Sequence, residues 1–284
     1  MRKAGIDFGL THVKAHWIEP TGQRRYLSTM DGFDRRSLSN ELWHRFRIDA
    51  LSAAGNGPTD GFERFAHHRP EGDPLSLEIS TQAAGAARLL EEAGIVVAER
   101  RLVVAVGTGT SYALQDGGAC LPLLGSAVGA GTVDGLLASM GMPSGPGIDE
   151  ALDAEAAPPH FDLMLAEAVP SLKGTPYEAF VASHFAKAAR DAPADQAACD
   201  LRFAASAVNL LLVDVARSLL LFGNDPRCAG ARDVVVLGTM PTRSRVVRRF
   251  LEQYLRMIGK NPIFPPHAEY ALAVGAYHAA DLQP

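Results

Sequence analysis

At 284 residues and 30.2 kDa the chain exceeds the size of one ordinary domain, so two lobes of roughly 100 to 180 residues are expected. Its 47% hydrophobic and 21% charged residues, mean hydropathy of +0.02, 27 Gly and 18 Pro describe a globular, turn-rich protein and exclude extended disorder. A net charge of -5 and a pI near 6.0 exclude a broad nucleic-acid surface, which would need a basic stripe.

In chain order, residues 4–7 and 13–18 read as strands joined by a turn at Gly9, and 25–29 as a third strand after Pro20-Thr21-Gly22, which makes an antiparallel meander. Leu38, Leu42, Trp43 and Phe46 recur at helical spacing over 37–46. A strand at 48–53 runs into Gly55-Asn56-Gly57, and helical spacing returns over 59–67 through Phe62, Phe65 and Ala66. Leu75-Ser76-Leu77-Glu78-Ile79 alternates as a half-buried strand. Ser80 or Thr81 then caps a helix closed by Gly94. Glu78 is thereby expected at a strand-to-helix corner, where open α/β sheets bind ligands.

Residues 102–106 are nearly all apolar and β-branched, the mark of a strand buried on both faces. After the Thr108-Gly109 turn, 111–115 and 119–124 form a hairpin about Asp116-Gly117-Gly118. A second meander predicts an internal duplication with its boundary near Arg100, hence lobes at 1–100 and 101–284. The glycine-rich run 125–131 opens a helix over 132–140, and 143–159 reads as loop and short helix. Helices are predicted over 161–168, 177–190 and 200–222. Asn209, Asp214 and Arg217 interrupt the last of these, so it reads as a buried helix and no membrane span is expected. A buried strand at 234–237 ends in Gly238-Thr239. An amphipathic helix at 244–258, an extended piece at 262–264 and a small-residue helix at 268–281 follow, the last free to return to the N-terminal lobe.

Two features carry chemistry. Each apolar strand, 4–7 and 102–106, runs into a glycine turn bearing hydroxyls, and the first also holds a carboxylate, so the pair can close on a polyphosphate from two sides. Gly9, Gly107 and Gly109 let the backbone approach phosphate, and Thr11, Thr108, Thr110 and Ser111 add donors. The basic cluster from Arg243 to Arg249 reads as a solvated helix face. His67-His68 lacks partners at ligand spacing, and His184 reads as a packed histidine. Cys120, Cys199 and Cys228 form no CxxC pair, so neither a zinc site nor a disulfide framework is expected. With no apolar leader at the start, a reducing cytoplasm is the expected location.

Several ordered pieces resemble the type II pantothenate kinases: GIDFGLTHVK at 5–14, AGNG at 54–57, LEISTQAAGAARLLEEAG at 77–94, VGTGTSYALQDG at 106–117, LGSAVGAGTVDGLL at 124–137, FDLML at 161–165, VVVLGT at 234–239 and EYALAVGAYHA at 269–279. The resemblance implies a two-lobed α/β, actin-like (ribonuclease H-like) ATPase fold with duplicated βββαβα domains. It also implies a homodimer packed through helices of the second lobe, with 204–222 as a candidate element. The implied reaction uses ATP and Mg²⁺ to phosphorylate the primary hydroxyl of pantothenate. By the same resemblance, Asp7 would orient hydrated magnesium and Lys14 would neutralise phosphate charge. Gly125, Gly129 and Gly131 would form the nucleotide wall, with Gly238 as a further nucleotide contact. Glu78 would accept the proton of the acceptor hydroxyl.

The departures are specific. Leu10 and Ala130 replace family glycines, and Pro122 stands where the family has the arginine that holds the pantothenate carboxylate. Either the acceptor is another small molecule, or a cation such as Arg202 or Lys187 replaces that arginine. A nucleotide-binding pseudokinase is the rival of a different class.

Overall fold

The computed structural model describes residues 2–69, 72–142, 149, 152, 160–175, 177–178 and 180–279. The first sheet comprises β1 (Lys3–Phe8), β2 (Val13–Ile18), β3 (Arg24–Ser28), β4 (Ala50–Ala54) and β5 (Ala66–His68). Helix α1 (Arg35–Asn40), continued by a π turn over Glu41–Arg45, links β3 to β4, and α2 (Pro74–Glu92) follows β5. The second sheet comprises β6 (Arg100–Val106), β7 (Thr110–Asp116), β8 (Ala119–Pro122), β11 (Asp233–Leu237) and β12 (Asn261–Ile263). Its helices are α3 (Ala130–Ser139), α5 (Gln196–Gly223), α6 (Thr239–Arg243), α7 (Arg245–Met257) and α8 (Ala271–Ala279). A small ribbon of β9 (Leu163–Met164) and β10 (Val181–Ser183), with the short α4 (Leu165–Ala168), lies between them in sequence.

The strand orders are β3-β2-β1-β4-β5 and β8-β7-β6-β11-β12. In both sheets three antiparallel strands are followed by two parallel ones, so the expected duplication is present as topology, with a fifth strand added to each unit. Period-two alternation sorts the faces. Ala4, Ile6 and Phe8 point to a core with Leu38, Leu42, Phe62 and Phe65, while Gly5 and Asp7 point the opposite way, toward α8 and the cleft. The outer face of the second sheet is covered by α3, α5 and α7 through Val133, Val208, Leu211, Val215 and Leu251.

Between the sheets lie α2 and α8. Ile79, Ala83 and Ala86 of α2 pack on Val103, Ala105 and Ala113, whereas α8 lies on β1, β2 and β4. The two helices approach backbone to backbone. A Cβ on Gly85 would overlap the Ala271 carbonyl, one on Gly275 the Thr81 carbonyl, and one on Gly5 the Ala273 carbonyl. Glycine is required at these positions by space, not by φ.

Four sequence expectations change. Residues 75–79 are not a strand but the first turns of α2, capped by the Asp73 carboxylate on Ser76 N (2.8 Å) and started by Pro74. Five alternating residues also fit i, i+4 spacing, and Leu75 is exposed while Ile79 is buried. No helix forms over 59–67, where Gly61 takes φ +88° and the chain turns before β5. The helix expected over 177–190 is replaced by β10 and turns, with Phe185 at φ +56°. Only Leu165–Ala168 of the helix expected over 161–168 is helical. The reading of 143–159 falls almost wholly outside the described residues, as do 280–281 of the last helix.

Among the described residues α5 is the one helix long and apolar enough to cross a membrane by length and composition; half of that apolar stretch is buried inside the structure. Gly85→Ala should lower unfolding free energy by about 1–3 kcal/mol or more through overpacking, while Gly135→Ala, where a Cβ meets nothing within 4 Å, should be neutral or stabilising. Urea unfolding of both variants checks this; equal midpoints would show that α2 and α8 are not locked together.

Candidate functional site

A cleft of about 780 Å³ opens where β1 and β6 end. The β1–β2 register sets Asp7 opposite Lys14, so the two side chains meet on one face, with Nζ 3.1 Å from Oδ2. Both are nearly sealed, at 9% and 13% side-chain exposure. Lys14 is therefore not a surface lysine but a cation held on the Asp7 carboxylate. The turn after β4 packs under this pair. Gly57 N donates to Phe8 O (2.5 Å), and a Cβ on Gly55 would press on Phe8 O and on the Asp7 carboxylate. The Gly55-Asn56-Gly57 turn so placed carries Asn56, whose amide donates to Glu78 Oε2 at 2.8 Å.

Glu78 lies on the second turn of α2 and faces the cleft. Burial pushes its carboxyl pKa up from the ordinary value of 4.5 and the charge of Asp7 adds to this, while the Asn56 hydrogen bond and Lys14 oppose it. Placing Glu78 on a helix also accounts for Gln82, one turn later on the same face. Gln82 accepts a hydrogen bond from Ser111 Oγ at 3.2 Å.

On the opposite wall, Gly107 N donates to Gly109 O (2.8 Å) and Ala130 N to Gly107 O (2.8 Å), which ties the second turn to the start of α3. Gly129 is wedged beneath Thr108 and Gly109 and does not line the cleft, whereas Gly125, Gly131 and Gly238 do. Gly238, at φ +112°, leaves no space for a Cβ beside the Val106 carbonyl. The Thr110 hydroxyl donates to Val128 O at 2.8 Å, so it braces the wall and does not donate into the cleft. Thr11 and Thr108 remain exposed, and their hydroxyls meet at 3.5 Å, one from each glycine turn. The paired turns expected to clamp a polyphosphate thus face each other, with Gly9, Thr11, Gly107, Thr108 and Gly109 lining the gap.

Arg243 departs from the expected solvated cluster. Though exposed like Arg245 and Arg248, it lines the cleft and pairs with Asp31 (3.2 Å) and the buried Glu269 (3.5 Å). Neither cation expected to replace the family arginine reaches this site. Arg202 donates to Asp191 O and Lys187 is paired with Glu167. Sequence signals for Asn56 and Gln82 were the Gly-Asn-Gly turn and the i+4 spacing from Glu78; nothing in the sequence marked Arg243. Among the described residues no three His, Cys, Asp or Glu side chains cluster to hold a metal directly. A single carboxylate such as Asp7, already paired with Lys14, would fit a hydrated ion and not a directly ligated one.

The two-lobed fold is the one shared by the actin-like ATPases. No protein-family model and no curated protein matches the sequence. The chain is similar in structure to (R)-2-hydroxyglutaryl-CoA dehydratase component A from Acidaminococcus fermentans, at 17% identity over 99% of each chain and TM-score 0.55. It is also similar to a ROK family glucokinase from Streptomyces griseus solved with glucose and AMPPNP, at 12% identity over 100% of each chain and TM-score 0.51. The likeness reaches the actin-like class and does not single out the type II pantothenate kinases within it.

Because its pKa is raised, Glu78 favours folding most below pH 4.5, and that contribution is lost as pH rises through its folded value. Glu78→Gln should therefore raise the melting temperature at pH 7, with the gain shrinking toward pH 4. Thermal unfolding at the two pH values checks this; a Gln variant less stable at pH 7 would contradict the placement of Glu78.

Proposed function

We propose that the chain is an ATP-dependent kinase that phosphorylates a hydroxyl of a small molecule. The observation that carries this is the approach of Thr11 and Thr108 to 3.5 Å across a cleft that also holds the Asp7–Lys14 pair and Glu78. Phosphoryl transfer needs little covalent chemistry from the protein, only a phosphate cradle, charge neutralisation and a proton acceptor. The cleft offers a candidate for each: the glycine turns, Lys14 and Glu78. A glucokinase of similar fold was solved with glucose and AMPPNP, which supports a nucleotide as a ligand of this fold.

In this reading the backbone of Gly9, Gly107 and Gly109, with Thr11 and Thr108, holds the β- and γ-phosphates. Asp7 would orient a hydrated Mg²⁺, which supplies charge neutralisation when bound, and Lys14 adds a positive charge beside it. The acceptor hydroxyl oxygen forms a bond to Pγ as the bond from Pγ to the β-bridging oxygen breaks. Its proton passes to Glu78 and ADP leaves. A carboxylate pushed upward by burial is a better proton acceptor near neutrality than an ordinary one. Pantothenate remains one candidate acceptor. Pro122 in place of the family arginine, with Arg202 and Lys187 held elsewhere, favours a different one.

ADP release measured over pantothenate, pantetheine and sugars should reveal turnover that falls about 10²- to 10⁴-fold in Glu78→Gln, with AMPPNP affinity unchanged. The acid limb of kcat/KM should lie above the ordinary carboxylate value of 4.5. Tight AMPPNP binding with no transfer to any acceptor would instead identify a pseudokinase.

A further inference from the structure

A second, smaller cavity of about 170 Å³ adjoins the main cleft. Its walls come from the end of β4 at 52–54, the start of α2 from Pro74 to Thr81, and Ala276 of α8. Gly55, Asn56 and Glu78 line both cavities, so the two meet at the Asn56–Glu78 hydrogen bond. Among the described residues Arg69 is the one cation lining the smaller cavity, and Glu78 the one carboxylate. The parallel register that sets His68 beside Ser52 carries Arg69 to this wall immediately after β5. Its guanidinium sits over the buried Phe8 ring at 5.8 Å, and no carboxylate among the described residues pairs with it.

Among the described residues the main cleft offers no such Lys or Arg. Lys14 is committed to Asp7, and Arg243 to Asp31 and Glu269. We propose that the smaller cavity is an acceptor subsite: the hydroxyl to be phosphorylated faces Glu78, and an anionic group of the same molecule, a carboxylate or a phosphate monoester, pairs with Arg69. This rests on the kinase reading of the cleft. The planar guanidinium offers a bidentate match to either anion. The alanines at 53, 54, 276 and 279 with Leu77 give the cavity an apolar wall, and Arg69 is itself exposed and so accessible to an incoming anion. The space, about 170 Å³, is small beside the main cleft. It admits the short charged arm of an acceptor whose remainder lies in the main cleft. Specificity would then come from Arg69, a residue outside both glycine turns.

The test compares wild type, Arg69→Gln and Arg69→Lys, each saturated with AMPPNP, by calorimetric titration. The probes are glycerate, 4-hydroxybutyrate and pantothenate against their primary amides, and glycerol 3-phosphate against glycerol. ADP release is followed in parallel with ATP. At least one anion should bind about tenfold or more tightly than its neutral counterpart. Arg69→Gln should abolish that preference and Arg69→Lys retain part of it, both with wild-type AMPPNP affinity as proof of folding. Preference within the acid arm or the phosphate arm identifies which anion is used. Equal binding of anions and neutral counterparts, binding of no anion, or a preference that survives Arg69→Gln overturns the subsite. Turnover of neutral alcohols without anion preference overturns it while leaving the kinase reading intact. Anion preference lost in Arg69→Gln but without ADP release from any acceptor upholds anion binding at Arg69 and overturns the kinase reading instead.

Discussion

The close approach of α2 and α8 is the constraint on which the molecule depends. Three glycines, at 5, 85 and 275, remove the side chains that would hold the two helices and β1 apart. With the helices in backbone contact, each covers the inner face of a different sheet, α2 the second and α8 the first. The sheets are thereby fixed so that β1 and β6 end at the same cleft. The 3.5 Å meeting of Thr11 and Thr108 is a consequence of that spacing, not a cause of it.

The same arrangement sets the electrostatics. Asp7 and Lys14 face each other across an antiparallel pair, so their charges balance where both side chains are largely buried. Glu78 has no cation of its own. Its carboxylate leans on Asn56, and burial together with the neighbouring Asp7 charge keeps its pKa raised. An ionised Glu78 therefore costs stability at neutral pH, the kind of local cost that active sites carry when a base must be kept reactive.

Much of this was legible in the sequence, because strands that alternate and end in glycine turns have few alternatives. The opening meander and the buried strands expected at 102–106 and 234–237 appear within a residue or two of those bounds, and the helix expected over 200–222 starts one turn earlier, at Gln196. The wall at Gly125, Gly131 and Gly238 was legible only through the resemblance. Over 75–79 Leu75, Leu77 and Ile79 satisfy period two, but five residues are too few to exclude a helix, and the Asp73-Pro74 start signal decides for one. Gly61 and Phe185, at positive φ, broke two expected helices whose apolar spacing alone looked sound. Thr110 and Arg243 illustrate the other limit. Whether a hydroxyl donates to the backbone or to a ligand, and whether a cluster arginine turns inward, depends on partners distant in sequence such as Val128, Asp31 and Glu269.

The central claim is that one polyphosphate is gripped by both glycine turns at once. Hydrogen–deuterium exchange with and without AMPPNP and Mg²⁺ tests it at the level of individual amides. Protection should rise together in 8–14 and 107–111, with little change in the β9–β10 ribbon. Protection confined to one turn, or absent from both, would contradict a shared phosphate site.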